Sequence, residues 1–130
     1  MLRILLVEDE ADQRNLYAES LTESGFEVFT ARDGKEAVQV FGEINPDAVI
    51  LDIQMPGMDG IQALGHLLAE NKAVAVVFYT AYPAFKDNFI TWAADAFVVK
   101  TGDPSELVRE VQRVLAERGV LRLPTVLPKA

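Results

Sequence analysis

The sequence contains no cysteine and only one histidine, His66, among its 130 residues. Without cysteine the chain can form no disulfide, no thiolate zinc site and no catalytic thiol, a composition that suits a reducing compartment. A single histidine also excludes a metal centre built from several imidazoles. We therefore expect a cytoplasmic protein, with His66 at the surface or in packing rather than in a reaction.

Basic residues and long apolar runs are also scarce. Lysine and arginine number 12 against 20 acidic residues, so the net charge of −8 repels phosphate backbones and anionic lipids. No apolar run approaches the roughly 18 residues of a membrane span, and the apolar start at 4–7 stops at acids, which is too short for a signal peptide. We expect no direct nucleic-acid binding and no membrane insertion.

The length and the apolar content predict one folded domain. A chain of 130 residues, half of them hydrophobic, can bury a proper core but leaves no room for a second domain. We place this domain at 1–118. The remaining residues, 119–130, carry two prolines without helical or strand periodicity, which predicts a loose tail or the start of a linker.

Strand and helix patterns alternate along the chain. Four short runs rich in valine and isoleucine predict central, buried parallel strands, and a more mixed run at 26–31 predicts an edge strand; the four runs are 3–7, 48–51, 74–79 and 96–99. Segments with helical spacing follow them, and two helix starts carry capping-box spacings, Asp33 with Glu36 and Asp103 with Glu106. With Pro104 in its first position, the last helix is predicted over 104–118. This alternation predicts a doubly wound α/β fold with helices on both faces of one parallel sheet.

Polar residues stand directly after the predicted strands, where open α/β sheets bind their ligands. Acids follow the first and third strands, a hydroxyl follows the fourth and an amine follows the fifth; they are Glu8, Asp9, Glu10, Asp52, Thr80 and Lys100. Carboxylates that converge repel one another, so a cation is needed to stabilise them in their charged form. A site with only oxygen ligands favours a hard divalent ion such as Mg²⁺. A carboxylate, Mg²⁺, a lysine and a hydroxyl can together hold a phosphoryl group, and an aspartate can accept it as nucleophile.

Each of these residues also has a plain structural interpretation. Acids favour the positive end of a following helix, Asp52 precedes a turn at 55–57, Thr80 could be a cap and Lys100 a solvated strand end. Together, however, residues of the required types at the ends of neighbouring strands indicate an aspartyl-phosphate site.

Four motifs extend this interpretation: LLVEDE at 5–10, LDIQMPGMDG at 51–60, YTA at 79–81 and FVVK at 97–100. In this order they resemble the response-regulator receiver domain, the phosphoacceptor module of two-component signalling, from residue 2 to 116. The resemblance implies a flavodoxin-like, five-stranded sheet in the order 2-1-3-4-5.

The resemblance also implies a role for each acidic residue. Asp52 is expected to take a phosphoryl group from a histidine kinase or a phosphotransfer protein. Asp9 is expected to bind Mg²⁺ beside it, with Glu8 acting through water and the backbone carbonyl of Gln54 as a further ligand.

The phosphoryl-binding and switch residues follow from the same resemblance. Lys100 is expected to pair with the phosphoryl group, and Thr80, with Ala81 next to it, to move towards it. Phe97 is then expected to swing inward as an aromatic switch. Phosphorylation is expected to change one surface of the domain, formed by the helix before the fifth strand, the fifth strand and the last helix. This surface lies around Tyr82 and 85–92, and it is expected to bind a second copy or a target protein.

The sequence departs from the family pattern at two places, after Lys100 and between Thr80 and Lys100. Thr101 follows Lys100 where the family usually has a proline with a cis peptide bond, and without proline the trans form is favoured. The stretch from Thr80 to Lys100 is about two residues shorter than the common spacing, so the helix within it is expected to be short or irregular.

Three other functions share part of this residue pattern. A phosphatase of the haloacid-dehalogenase type needs a second aspartate two residues after its nucleophile, where this chain has Gln54. A flavodoxin-like cofactor binder needs a glycine- and hydroxyl-rich loop where this chain has acids at 8–10. A pseudo-receiver that is never phosphorylated is disfavoured by the complete set of acids, Thr80 and Lys100. We expect a signalling domain with no enzymatic activity beyond its own phosphoryl transfer and autodephosphorylation.

Overall fold

Strands and helices alternate through the computed structural model, which describes residues 1–55, 57–81 and 94–121. The strands are β1 (Arg3–Val7), β2 (Glu27–Ala31), β3 (Ala48–Leu51), β4 (Ala75–Thr80) and β5 (Ala96–Val99). The helices are α1 (Ala11–Glu23), α2 (Gly34–Ile44), α3 (Gly60–Glu70) and α4 (Ser105–Glu117).

All five strands are parallel and form one sheet in the order β2-β1-β3-β4-β5. The prediction of a doubly wound sheet is confirmed, and β2 lies at an edge as its mixed pattern indicated. The prediction that 96–99 forms a central strand is wrong. Within the described residues β5 pairs only with β4, and three of its four residues are half-buried. Its apolar pattern reflects contact with α4 and with Phe78 rather than a second neighbouring strand.

The core has two layers, one on each face of the sheet. Side chains alternate along a strand, so Ile4 and Leu6 of β1 pack on the side of α1 and α4, whereas Leu5 and Val7 pack on the side of α2 and α3. Because both faces are covered, the interior positions of the central strands are apolar on both sides, and only Arg3 at the start of β1 and Thr80 at the end of β4 interrupt these runs.

The helix starts only partly follow the predicted capping boxes. The Asp33 carboxylate accepts the backbone N–H of Glu36 at 2.8 Å, but the Glu36 side chain pairs with Arg32 at 2.9 Å instead of returning to the cap. The box at Asp103 and the start at Pro104 are wrong. Asp103 accepts the N–H of Ser105 at 3.0 Å in a local turn, and α4 begins at Ser105.

Outside the sheet and its helix caps, the structure tests one further prediction, the isomer of the peptide bond after Lys100. The Lys100–Thr101 peptide bond is trans, as predicted. None of the helices in the described ranges is long and apolar enough to cross a membrane. Tyr82, the segment 85–92 and the helix expected between Thr80 and Lys100 lie outside the described residues, as does the tail beyond residue 121.

Candidate functional site

Backbone hydrogen bonds continue past the ends of the strands and align the residues that follow them. The N–H of Asp52 donates to the carbonyl of Val7 at 3.4 Å, and the N–H of Lys100 donates to the carbonyl of Thr80 at 2.8 Å. The residues after β1, β3, β4 and β5 therefore meet at the carboxyl edge of the sheet, as predicted.

A largely buried lysine lies at the centre of this edge. The Lys100 ammonium donates to Asp52 Oδ2 at 2.8 Å, to Gln13 Oε1 at 3.0 Å and to the carboxylate of Glu8. The side chains of Lys100 and Glu8 are only 11% and 3% exposed. Their charges are thus largely removed from water. In such an environment the attraction between the two charges is strong, and the loss of one partner is costly because the other charge stays buried and unpaired.

Three acids surround one point beside the lysine. Carboxylate oxygens of Glu8, Asp9 and Asp52 lie within 4.8 Å of one another, and Asp9 is exposed to solvent. This set of oxygens could hold a divalent cation. Glu10 is not part of it, because its carboxylate caps α1 by accepting the N–H groups of Asp12 and Gln13 at 3.1 Å each. For Glu10, the structural interpretation is the correct one.

Burial disfavours the charged forms of Glu8 and Lys100, whereas the contacts between these residues favour them. Burial raises the pKa of Glu8 above its ordinary value, although Lys100 lowers it in part. Burial alone would lower the pKa of Lys100, but hydrogen bonds to Asp52 and Glu8 outweigh it and raise the pKa. Lys100 is therefore a cation throughout the neutral range.

The other predicted residues surround this centre at different depths. The N–H of Gln54 donates to Asp52 Oδ1 at 3.2 Å, so the two oxygens of Asp52 have separate partners, while the Gln54 side chain is exposed. Thr80 is fully buried at the end of β4, and Ala81 after it is exposed. Phe97 is half-buried, with its ring centroid 6.3 Å from that of Phe78.

A family model described as response regulator receiver domain matches residues 4–112. The chain belongs to the response regulator receiver domain family. It is a signalling domain of a response regulator, with the fold of the CheY-like receiver structures.

Individual relatives agree with this assignment. The receiver domain is 37% identical over 115 residues to the regulatory protein AtoC of Escherichia coli, an alignment that covers 87% of this chain and 25% of AtoC. The response regulator TrrA of Thermotoga maritima, solved in complex with Mg(2+)-BeF, is 41% identical and superposes with a TM-score of 0.84 over 88% of this chain and all of TrrA. TrrA in complex with the histidine kinase ThkA gives a TM-score of 0.82 at 41% identity, over 88% of this chain and 99% of TrrA.

A close approach of helix α3 fixes the backbone of Asp52 in this receiver domain. The N–H of Gly60 donates to the carbonyl of Ile53 at 2.8 Å, and a Cβ added at Gly60 would lie 2.2 Å from the Asp52 carbonyl oxygen. Asp59 and Gln62 cap this helix reciprocally, in a capping box that was not predicted from the sequence. Only glycine allows the first turn of α3 to pack directly under Asp52.

Gly60→Ala is expected to lower the free energy of unfolding by about 1–3 kcal/mol, because the backbone of Asp52 must move to relieve the overlap. Gly65→Ala in the same helix is the matched control. A Cβ at Gly65 meets nothing within 4 Å, so this variant should gain roughly 0.5–1 kcal/mol. Urea denaturation of both variants tests the pair, and equal effects would contradict the proposed close approach.

Two residues at the site were not predicted as site residues from the sequence. Gln13 reaches Lys100 from α1, and Tyr17 lies one turn further along the same face. The available signal was their spacing, since Asp9, Gln13 and Tyr17 follow one another at intervals of four residues.

Proposed function

We propose that Asp52 accepts a phosphoryl group from a histidine kinase or a phosphotransfer protein in a Mg²⁺-dependent reaction. The observation that carries this proposal is the Lys100 ammonium 2.8 Å from Asp52 Oδ2, with the acids Glu8 and Asp9 beside it. Relatives of the same family support it, since TrrA has been solved with Mg(2+)-BeF and with a histidine kinase.

The chemistry needs little more than alignment and charge compensation. A carboxylate oxygen of Asp52 attacks phosphorus, the bond from phosphorus to the donor's imidazole nitrogen breaks, and that electron pair stays on the nitrogen. Lys100 faces the accepting carboxylate and offsets the negative charge of the transferred oxygens. Thr80, at the end of the neighbouring strand, supplies a hydroxyl on the same edge of the sheet.

The donor set fits Mg²⁺, because it offers carboxylate oxygens and no nitrogen or sulfur ligand among the three clustered acids. We assign Asp9, Asp52, Glu8 and the backbone carbonyl of Gln54 to hold the ion, Glu8 through water. When bound, Mg²⁺ neutralises charge on the phosphoryl oxygens. The exposed Asp9 leaves the solvent side of the cluster open to the ion.

The output is proposed at the face that includes β5 and α4. Movement of Thr80 towards the phosphoryl group makes room for the half-buried Phe97, which carries no polar group that burial would leave unpaired. With Ala81 beside Thr80, this change alters the surface for a second copy or a target protein. We propose a domain that does not bind nucleic acid directly, with no enzymatic activity beyond its own phosphoryl transfer and hydrolysis. A cytoplasmic location follows if a kinase supplies the phosphoryl group from ATP.

Incubation with acetyl phosphate and Mg²⁺, read by intact-protein mass spectrometry, tests the phosphoacceptor. The wild-type protein and Asp59→Asn should gain one phosphoryl group, because asparagine keeps the cap at position 59. Asp52→Asn, or chelation of Mg²⁺, should abolish the adduct. Labelling that survives in Asp52→Asn contradicts the proposal, and a wild-type protein without any adduct would indicate a pseudo-receiver.

A further inference from the structure

The amide of Gln13 connects helix α1 to the lysine of the site. Its oxygen Oε1 lies 3.0 Å from the Lys100 ammonium nitrogen and 3.3 Å from the hydroxyl oxygen of Tyr17. An ammonium can only donate, so the amide oxygen, and not its NH₂ group, faces Lys100. A carbonyl oxygen accepts two hydrogen bonds, and here the lysine and the tyrosine hydroxyl supply both.

Hydrogen bonds and aromatic packing support the Gln13 amide. The backbone N–H of Gln13 is held by the Glu10 carboxylate at 3.1 Å, which fixes the first turn of α1. Tyr17 is 4% exposed, and its ring meets that of Tyr79 edge to face, with centroids 4.9 Å apart and planes inclined by 70°. The hydroxyl of Tyr17 thus keeps the Gln13 oxygen directed at the lysine.

The same two rings also border the ammonium. Lys100 Nζ lies 5.7 Å from the ring centroid of Tyr17 and 5.8 Å from that of Tyr79, distances at which a cation is attracted to a ring face. Lys100 therefore has neutral neighbours, the Gln13 amide and two tyrosine rings, in addition to its two carboxylate partners. Its three N–H donors are shared among Glu8, Asp52 and Gln13.

The charge balance explains why a neutral partner matters. Three clustered carboxylates already oppose one ammonium, and an incoming phosphoryl group adds further negative charge. A fourth carboxylate on α1 would cancel the attraction that Lys100 offers to this group. An amide oxygen holds the ammonium in place without that cancellation, because it carries no net charge.

We propose that Gln13 is a positioning residue that holds Lys100 for phosphoryl transfer to Asp52, with Tyr17 orienting the Gln13 amide. The inference rests on the proposed function of Asp52. In the reaction used for the test, the bond from Asp52 to phosphorus forms, the bond from phosphorus to the bridging oxygen of acetyl phosphate breaks, and acetate leaves with the electron pair.

Gln13→Met tests this role, because methionine matches the length and helix propensity of glutamine but accepts no comparable hydrogen bond. The matched control is Gln39→Met, at an exposed position of α2. Labelling of Gln13→Met by acetyl phosphate is expected to be about tenfold slower, equivalent to about 1.4 kcal/mol in the barrier. Gln39→Met should react at the wild-type rate, and Tyr17→Phe, which keeps the ring, should be about threefold slower.

Two further readouts separate positioning from a general structural role. The dissociation constant of Mg²⁺, measured by calorimetry, should not rise in Gln13→Met, because the Gln13 side chain hydrogen-bonds to Lys100 and Tyr17 rather than to the acids of the cluster. Proton exchange at the Lys100 ammonium, followed by nitrogen-15 NMR without Mg²⁺, should be faster in Gln13→Met than in Gln39→Met.

The possible results distinguish this inference from the proposed function. Equal labelling rates in Gln13→Met and Gln39→Met would overturn the role of Gln13 while leaving Asp52 as the phosphoacceptor. Weakened Mg²⁺ binding in step with a slower rate would overturn it as well, since the whole site would then have collapsed. A wild-type protein that takes no phosphoryl group would overturn the function of Asp52 and this inference together.

Discussion

Lys100→Met is expected to lower the free energy of unfolding of the metal-free protein by about 3–5 kcal/mol, the usual cost of removing one partner from a buried ion pair. The variant leaves Glu8, with a side chain only 3% exposed, and the neighbouring Asp52 without their cation. Methionine fills the space of the lysine stem, so the loss reports the charge rather than a cavity.

Urea denaturation in the presence of a chelator measures this effect. Lys35→Met, at an exposed position of α2, is the matched control and should change stability by no more than about 0.5 kcal/mol. Adding Glu8→Gln to Lys100→Met should recover part of the loss, because it removes one of the unpaired buried charges. A Lys100→Met variant as stable as the control would show that the buried pair does not hold this edge of the sheet together.

The pH dependence of the same variant has a defined sign. Burial already raises the pKa of Glu8 above its ordinary value of 4.5, and loss of Lys100 removes the contact that opposes this rise. Between the ordinary and the raised pKa, the folded state binds more protons than the unfolded chain, so stability increases as the pH falls through this window. This increase should be larger in Lys100→Met than in the wild-type protein.

Saturating Mg²⁺ is expected to stabilise the wild-type protein by about 2.7 kcal/mol at one hundred times its dissociation constant. For a domain of this size the corresponding rise in Tm is roughly 10 °C. The physical cause is relief of repulsion among Glu8, Asp9 and Asp52, whose oxygens lie within 4.8 Å of one another. Thermal melts with and without Mg²⁺ measure the rise.

Asp9→Ala is the decisive variant for this effect, and Asp12→Ala is its control. Both aspartates are exposed, so neither substitution should cost much by itself. Only Asp9 belongs to the acid cluster, so the rise in Tm should vanish in Asp9→Ala and persist in Asp12→Ala. The same rise in both variants would place the ion elsewhere.

The sequence was sufficient to predict the convergence of the charged residues, for a simple geometric reason. Parallel strands end at the same edge of the sheet, so Glu8, Asp52 and Lys100 had to approach one another once the strands were identified. The role of Gln13 could not be found in this way. It depends on how α1 is rotated over the strand ends, which a strand pattern does not specify.

The helix caps show a second limit of sequence reasoning. Glu36 could return to the cap of α2, but Arg32 lies within reach and takes its carboxylate. Asp103 and Ser105 form a local turn that moves the start of α4 by one residue. In both cases a side chain has more than one local partner within reach, and the choice depends on geometry that is set only in the folded chain.

Localisation of the phosphoryl group is the most direct test of the central claim. Borohydride reduces an acyl phosphate and converts the modified aspartate to homoserine, which peptide mass spectrometry can place in the chain. After incubation with acetyl phosphate and Mg²⁺, homoserine is expected at position 52 and at no other acidic residue. Homoserine at position 9, or none at all after a verified mass gain, would contradict the assignment of Asp52 as the phosphoacceptor.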